Sequence, residues 1–226
     1  STADVGHNIT VGTNVLGESV VIRDNPALQD TGIWDPWGGA VPGSLTIEEN
    51  IILAQIQGFD GLAQVGGALH VDGNSALQDV NGLSNVHVLG ADNKGNSLTV
   101  TRNPMLQDVT GLAGVVGSAP GAVNISNNAQ LGSLEGMNGI TSVSANVDGV
   151  AVQVSDNNQL SSIAGLNGLS GNIDGAVVLS GNPSLMDLTG LSGVAGLGSD
   201  SGGQSLSVAD NVILANLLGL EGITAV

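Results

Sequence analysis

The sequence predicts an all-β fold: a right-handed parallel β-solenoid of about eight coils, each 24–29 residues long, in a single elongated domain. Three observations predict it. The spacing L-x-V-x-x-N-x-x-L-x-x-V-x-G-L-x-x-V, complete from Leu98 to Val115, recurs along nearly the whole chain. Its anchors are Asn25, Asn50, Asn74, Asn103, Asn128, Asn157, Asn182 and Asn211, separated by 25, 24, 29, 25, 29, 25 and 29 residues. The short runs before the anchors, such as Leu69-His70-Val71, alternate apolar and polar at the period of a strand. No run keeps a helical period long enough for a helix. A unit of this size cannot bury its apolar face alone, so neighbouring units stack to share a core. Parallel crossovers are nearly always right-handed, which sets the expected winding.

Residues 1–19, rich in Gly, Thr and Asn, precede the first clear repeat and read as a lead-in strand or partial cap; the solenoid occupies 20–226. Coil one interrupts the pattern at Thr31-Gly-Ile-Trp-Asp-Pro-Trp, but counting from Asn25 puts Trp34 and Trp37 in the slots later held by Leu112 and Val115. They read as a plug in the core rather than an exposed platform, because large apolar rings in core slots are usually core. Coils two to eight follow with little drift. The Gly-Leu step, at Gly58, Gly82, Gly111, Gly136, Gly165, Gly190 and Gly219, marks a bend with positive φ or a close backbone approach. An asparagine at the sharp turn satisfies backbone groups of its own and the adjacent coil, so the eight anchors read as a structural ladder. The extra residues of the long coils fall at one corner, in inserts such as 87–96, 141–149 and 195–205. Insertions on one edge of a solenoid point to function there.

Composition narrows the classes. A chain of 226 residues can bury one sizeable core. It has no cysteine, so disulfides and thiolate metal sites are excluded. The formal charge is −17, and Arg23, Lys94 and Arg102 are the strong cations, which excludes nucleic acid and anionic membrane surfaces as partners. Mean hydropathy is +0.28, yet the apolar residues are dispersed and no run approaches the roughly 18 to 20 needed for membrane insertion. The chain starts at Ser1 without methionine, as a processed product or excised fragment would.

The units Gly43-Ser-Leu-Thr-Ile-Glu-Glu-Asn50 and Leu179-Ser-Gly-Asn-Pro-Ser-Leu-Met-Asp-Leu-Thr-Gly-Leu191 resemble the repeats of receptor L domains. Those are relatives of leucine-rich repeats, folded as right-handed β-helices in growth-factor receptor ectodomains. The resemblance covers residues 20–226 and implies the architecture. This chain lacks the cysteines and helical caps of that family, so no ligand surface transfers to it.

Candidate sites are few. Asp79 and Asp108 fall at the same repeat position and should lie one above the other, where a bound Ca²⁺ would offset their repulsion. The competing reading is that each side chain accepts a hydrogen bond within its own turn. Asp92, in the loop 91–97, has a faint calcium-loop look without the closing acid, and 199–203 is similar; both read as solvated turns. No other cofactor is implied. His7, His70 and His87 are too scattered for a metal site, although His70 and His87 could approach each other. Asn8 and Asn124 head glycosylation sequons, and together they favour a secreted eukaryotic protein. No nucleophile–base–acid spacing or phosphate loop is present, so no enzymatic activity is expected.

The ends differ from the middle. Outward positions elsewhere are mostly polar or small, whereas Ile51, Ile52, Val212, Ile213 and Leu218 are apolar, and the chain stops at Val226 without a polar cap. An uncapped coil exposes strand edges that natural proteins cover; either the chain is a fragment or another subunit completes it. The expected function is a non-enzymatic extracellular or cell-surface structural module that self-associates into a filament, wall or layer. The alternative is a recognition or adhesion module binding a protein or glycan through the loop edge. An ice-binding solenoid fits less well, because the outward column from Val21 to Ser207 is irregular.

Overall fold

A computed structural model describes residues 13–32 and 39–226. Trp34 and Trp37 lie outside the described residues, as do His7 and Asn8. The chain winds into a parallel β-solenoid whose main sheet has eight strands in the order of the coils. These are β1 (Glu18–Arg23), β3 (Ser44–Glu48), β5 (Leu69–Asp72), β7 (Asn96–Thr101), β9 (Ala122–Ser126), β11 (Val150–Ser155), β13 (Ala176–Ser180) and β15 (Leu206–Ala209). Short strands between them form three flanking parallel sheets: β2 (Gly39–Val41) with β4 (Leu62–Val65) and β6 (Val88–Leu89), β8 (Gly117–Ala119) with β10 (Ile140–Val143), and β12 (Gly171–Ile173) with β14 (Val194–Leu197).

The register places repeat positions directly on one another. Ile22, Ile47, Val71, Val100, Ile125, Val154, Leu179 and Val208 pair in one unbroken row. A one-residue slip would turn every such side chain to water, so burial of one face enforces the pairing. Seven inward columns build the core, the seventh being Val41, Val65, Leu89, Ala119, Val143, Ile173 and Leu197 of the flanking sheets. The Leu98, Val100, Leu106, Val109, Leu112 and Val115 rung is at most 3 % exposed.

The anchor asparagines form a continuous ladder. Each from Asn25 to Asn182 donates its backbone N–H to Oδ1 of the next anchor at 3.0–3.1 Å. Each from Asn50 to Asn211 donates Nδ2 to a strand carbonyl of the preceding coil at 2.8–2.9 Å. Asn50, Asn74, Asn103, Asn128, Asn157 and Asn182 have no exposed surface at all. The amide thus supplies, inside the core, the partners that turn backbone would otherwise lack.

The residue before each anchor is left-handed in every coil. Asp24, Glu49, Arg102, Asn127, Asp156 and Asp210 have φ of 54–58°, and Gly73 and Gly181 have 67° and 66°. Asp, Asn and Gly tolerate this region best. The two exceptions, Glu49 and Arg102, face each other in an ion pair at 2.9 Å.

The Gly-Leu step divides into two kinds. Gly58, Gly136 and Gly219 have φ of 76°, 105° and 108°. Gly82, Gly111, Gly165 and Gly190 instead lie inside one-turn 3₁₀ helices, Asn81–Leu83, Thr110–Leu112, Ala164–Leu166 and Thr189–Leu191. These turns are three residues long, too few to leave a periodic signal, and the fold remains all-β. Their glycines are required by contact, since a Cβ on Gly165 would sit 1.7 Å from the Leu134 carbonyl oxygen.

Candidate functional site

Four loops share one design, three in the long coils and one ahead of coil one. Asn14, Asp92, Asn146 and Asp200 each stand three residues before a glycine, Gly17, Gly95, Gly149 or Gly203, with φ of 80–85°. In each loop one Oδ1 accepts two backbone N–H groups, two and four residues on, at 2.8–3.1 Å. Asp92 is therefore held as a turn-former by Lys94 and Asn96 N–H groups, and the Asp200 loop is its copy.

These loops are turns, as expected, and they also stack on one another. Val147 N–H donates to the Lys94 carbonyl at 2.9 Å, and Ser201 N–H to the Asp148 carbonyl at 2.8 Å. Short coils tuck their corners beneath, and glycine permits it: a Cβ on Gly121 would lie 2.4 Å from the Gly95 carbonyl oxygen. The result is a second ladder, outside the sheet, with one rung for every two coils.

The alternation breaks once. Asn25 to Asn50 and Asn50 to Asn74 are both short intervals, of 25 and 24 residues, so two short coils separate the Asn14 loop from the Asp92 loop. A recess of about 480 Å³ opens there. Its floor is the outward column Thr46, His70, Thr99 and Asn124 of β3, β5, β7 and β9; Glu18, Arg23 and Glu48 wall one side, and Leu16, Asp92, Asn93, Lys94 and Asn96 form the rim.

The two arginines of this region are each paired with carboxylates. Arg23 bridges Glu18 at 3.3 Å and Glu48, and its guanidinium is held still more firmly in the charged form, chiefly by the Glu48 bond. Arg102 likewise bridges Asp72 at 2.5 Å and Glu49, and its pKa is raised, mainly by Asp72. His70 Nε2 lies 3.2 Å from Asp92 Oδ2. Burial pushes the His70 pKa down, and the Asp92 and Glu48 carboxylates only partly offset it.

A pH dependence follows. The unfolded chain takes up a proton at an ordinary histidine value near 6.5, before folded His70 does. Neutral His70 therefore supports full stability above about pH 6.5, and part is lost as pH falls toward its lower folded value. The melting temperature is expected to drop between about pH 7 and 5.5. His70→Gln should flatten that slope; a variant with the undiminished slope would place the titration elsewhere.

The remaining sequence candidates fall out as follows. Asp79 and Asp108 each accept a backbone N–H two residues on, from Asn81 and Thr110, at 3.0 Å. Asp30, Ser133, Ser162, Asp187 and Asn216 do the same in their own coils. The column is a row of turn caps, and at Asp187 the Thr189 hydroxyl and N–H hold the pKa below the carboxylate norm. Among the described residues no three His, Asp or Glu side chains gather in a metal-binding group. His70 and His87 are not brought together: His87 Nδ1 lies 3.1 Å from the Gly114 carbonyl, at another edge of the coil. Asn124 is half-buried on the recess floor, its Oδ1 accepting from the Ser126 hydroxyl at 2.7 Å. Ile51, Ile52, Val212, Ile213, Leu218 and Val226 are all exposed. Among the described residues no helix is long and apolar enough to cross a membrane.

Sequence reasoning missed the second ladder and the recess. The signal was present as Asn or Asp three residues before Gly in each long coil. Comparison with protein-family models, curated proteins and solved structures finds no match for this chain.

Proposed function

We propose that this chain is a non-enzymatic structural module of the extracellular space or cell surface, working by self-association through coil eight. One observation carries the reading. In the inner coils the inward columns are sealed, whereas in coil eight Leu206, Val208, Leu214, Leu220 and Ile223 are only partly buried and Leu217 is 57 % exposed. Beside them run Val212, Ile213, Leu218 and Val226, and the outer edge of β15 has no strand partner among the described residues. Such an edge is a template for another strand.

In coil one Val20 and Ile22 are 6 % and 8 % exposed, while Leu28 is only partly buried. The joint we propose is isologous, two copies meeting coil eight to coil eight with their β15 edges paired antiparallel. A filament, wall or layer then needs a lateral contact as well, and exposed Ile51 and Ile52 on coil two suit that role. The −17 charge on each copy opposes association, so salt should promote it. Kinship with receptor L domains belongs to the same proposal; eight parallel rungs built on one repeat support it.

Light scattering across protein and salt concentration tests the joint. A dimer or larger species is expected at tens of micromolar and above about 0.1 M salt, where screening is within about 10 Å. Leu217→Lys, at a half-exposed position, should return it to monomer with little change in fold. A strictly monomeric particle at high concentration would falsify the proposal.

A further inference from the structure

The recess between the Asn14 and Asp92 loops is lined by residues of the first coils. We propose that it binds a neutral polyhydroxyl ligand, a mono- or disaccharide, with the Thr46 hydroxyl as its deepest contact. This goes beyond assembly through coil eight, which uses the other end of the solenoid.

The recess measures about 480 Å³, within the roughly 300–1,000 Å³ of small-molecule sites. Thr46 lines it and is 2 % exposed, yet its hydroxyl has no hydrogen-bond partner, the one such buried side-chain atom among the described residues. Leaving a buried hydroxyl unmade is unfavourable, and native proteins rarely do so without a reason. It sits where the loop ladder skips a rung, so the gap and the orphan coincide.

The walls decide the ligand's chemistry. Three carboxylates, Glu18, Glu48 and Asp92, outnumber the two cations, Arg23 and Lys94, and with the chain's −17 charge they disfavour an anion. A cation would have to displace partners already in place, since Arg23 holds Glu18 and Glu48, and Asp92 Oδ1 is taken by two N–H groups. An apolar ligand finds Leu16 as the lone aliphatic residue in the lining. What remains is a lining of hydroxyls, amides and an imidazole, from Thr46, Thr99, Asn96, Asn124 and His70. Such groups match hydroxyls, which donate and accept at once.

The test is saturation-transfer NMR and calorimetry on the whole chain with glucose, mannose, galactose, cellobiose and maltose, up to about 10 mM, past the roughly millimolar range of weak sites. At least one sugar is expected to bind. Thr46→Ser should retain that binding. Thr46→Val should melt no lower than the parent, because a methyl replaces an unpaired hydroxyl, and should weaken the sugar about 10-fold, the equivalent of roughly 1.4 kcal/mol. Absence of binding by all five sugars, equal affinity in Thr46→Val, or binding of inorganic phosphate or Ca²⁺ in their place overturns the proposal.

Discussion

Replacing Asn128 with alanine is expected to lower the unfolding free energy by about 4 kcal/mol, a large part of the roughly 5–15 kcal/mol that holds a typical domain folded. The side chain is wholly buried. Its Oδ1 accepts the Asn103 N–H at 3.1 Å, and its Nδ2 donates to the Val100 carbonyl at 2.9 Å. Alanine strands both backbone groups where water cannot reach, at about 1–3 kcal/mol each. Asn128→Asp should be no better near neutral pH, because it sets a carboxylate against the Val100 carbonyl and buries an unpaired charge. Asn25, on the exposed first rung, is the comparison: Asn25→Ala should shift a urea midpoint only slightly. Equal effects at the two positions would mean that the ladder contributes through the turn alone and not through burial.

Gly165→Ala is the second large effect. The new Cβ would lie 1.7 Å from the Leu134 carbonyl oxygen and 2.2 Å from its carbon. Neither atom can move without shifting the coil beneath, so the loss should reach about 3 kcal/mol or more, the upper range for overpacking. Gly132→Ala makes the contrast. Nothing lies within 4 Å of its Cβ position and its φ is not positive. There alanine should stabilise by about 0.4–1 kcal/mol by restricting the unfolded chain. Paired denaturation curves decide it, and a Gly165→Ala protein as stable as its parent would contradict the stacking of Ala164–Leu166 on the coil before it.

Much of this molecule could be read before any coordinates. The spacing of leucine and valine around each asparagine identified the inward columns, because a parallel stack puts like positions on one another and only matching volumes fill the shared core. The left-handed column was nearly as visible, since Asp24, Gly73, Asn127, Asp156, Gly181 and Asp210 are all types that tolerate positive φ. Arg102 and Glu49 hid it, being types that rarely adopt positive φ. The 3₁₀ turns were invisible for a different reason. Gly111 and Gly136 stand at the same repeat position, yet one lies in a helical turn and the other adopts a φ of 105°. Both crowd the carbonyl of the preceding coil, at 2.2 Å and 2.5 Å for an added Cβ, so neither the repeat position nor that contact separates them.

By itself, then, the amino-acid order determined the parallel stack, the asparagine ladder and the corner at which the long coils swell, since these follow from local repetition. Only the tertiary structure decided that the loops at Asn146 and Asp200 bind the loops two coils earlier and that Thr46 lies buried without a partner. Those outcomes turn on contacts between residues some fifty positions apart, such as Lys94 with Val147, and on which surfaces happen to be overhung. Hydrogen-bonding capacity is written in a residue's type, but whether it is met depends on what the rest of the chain brings beside it.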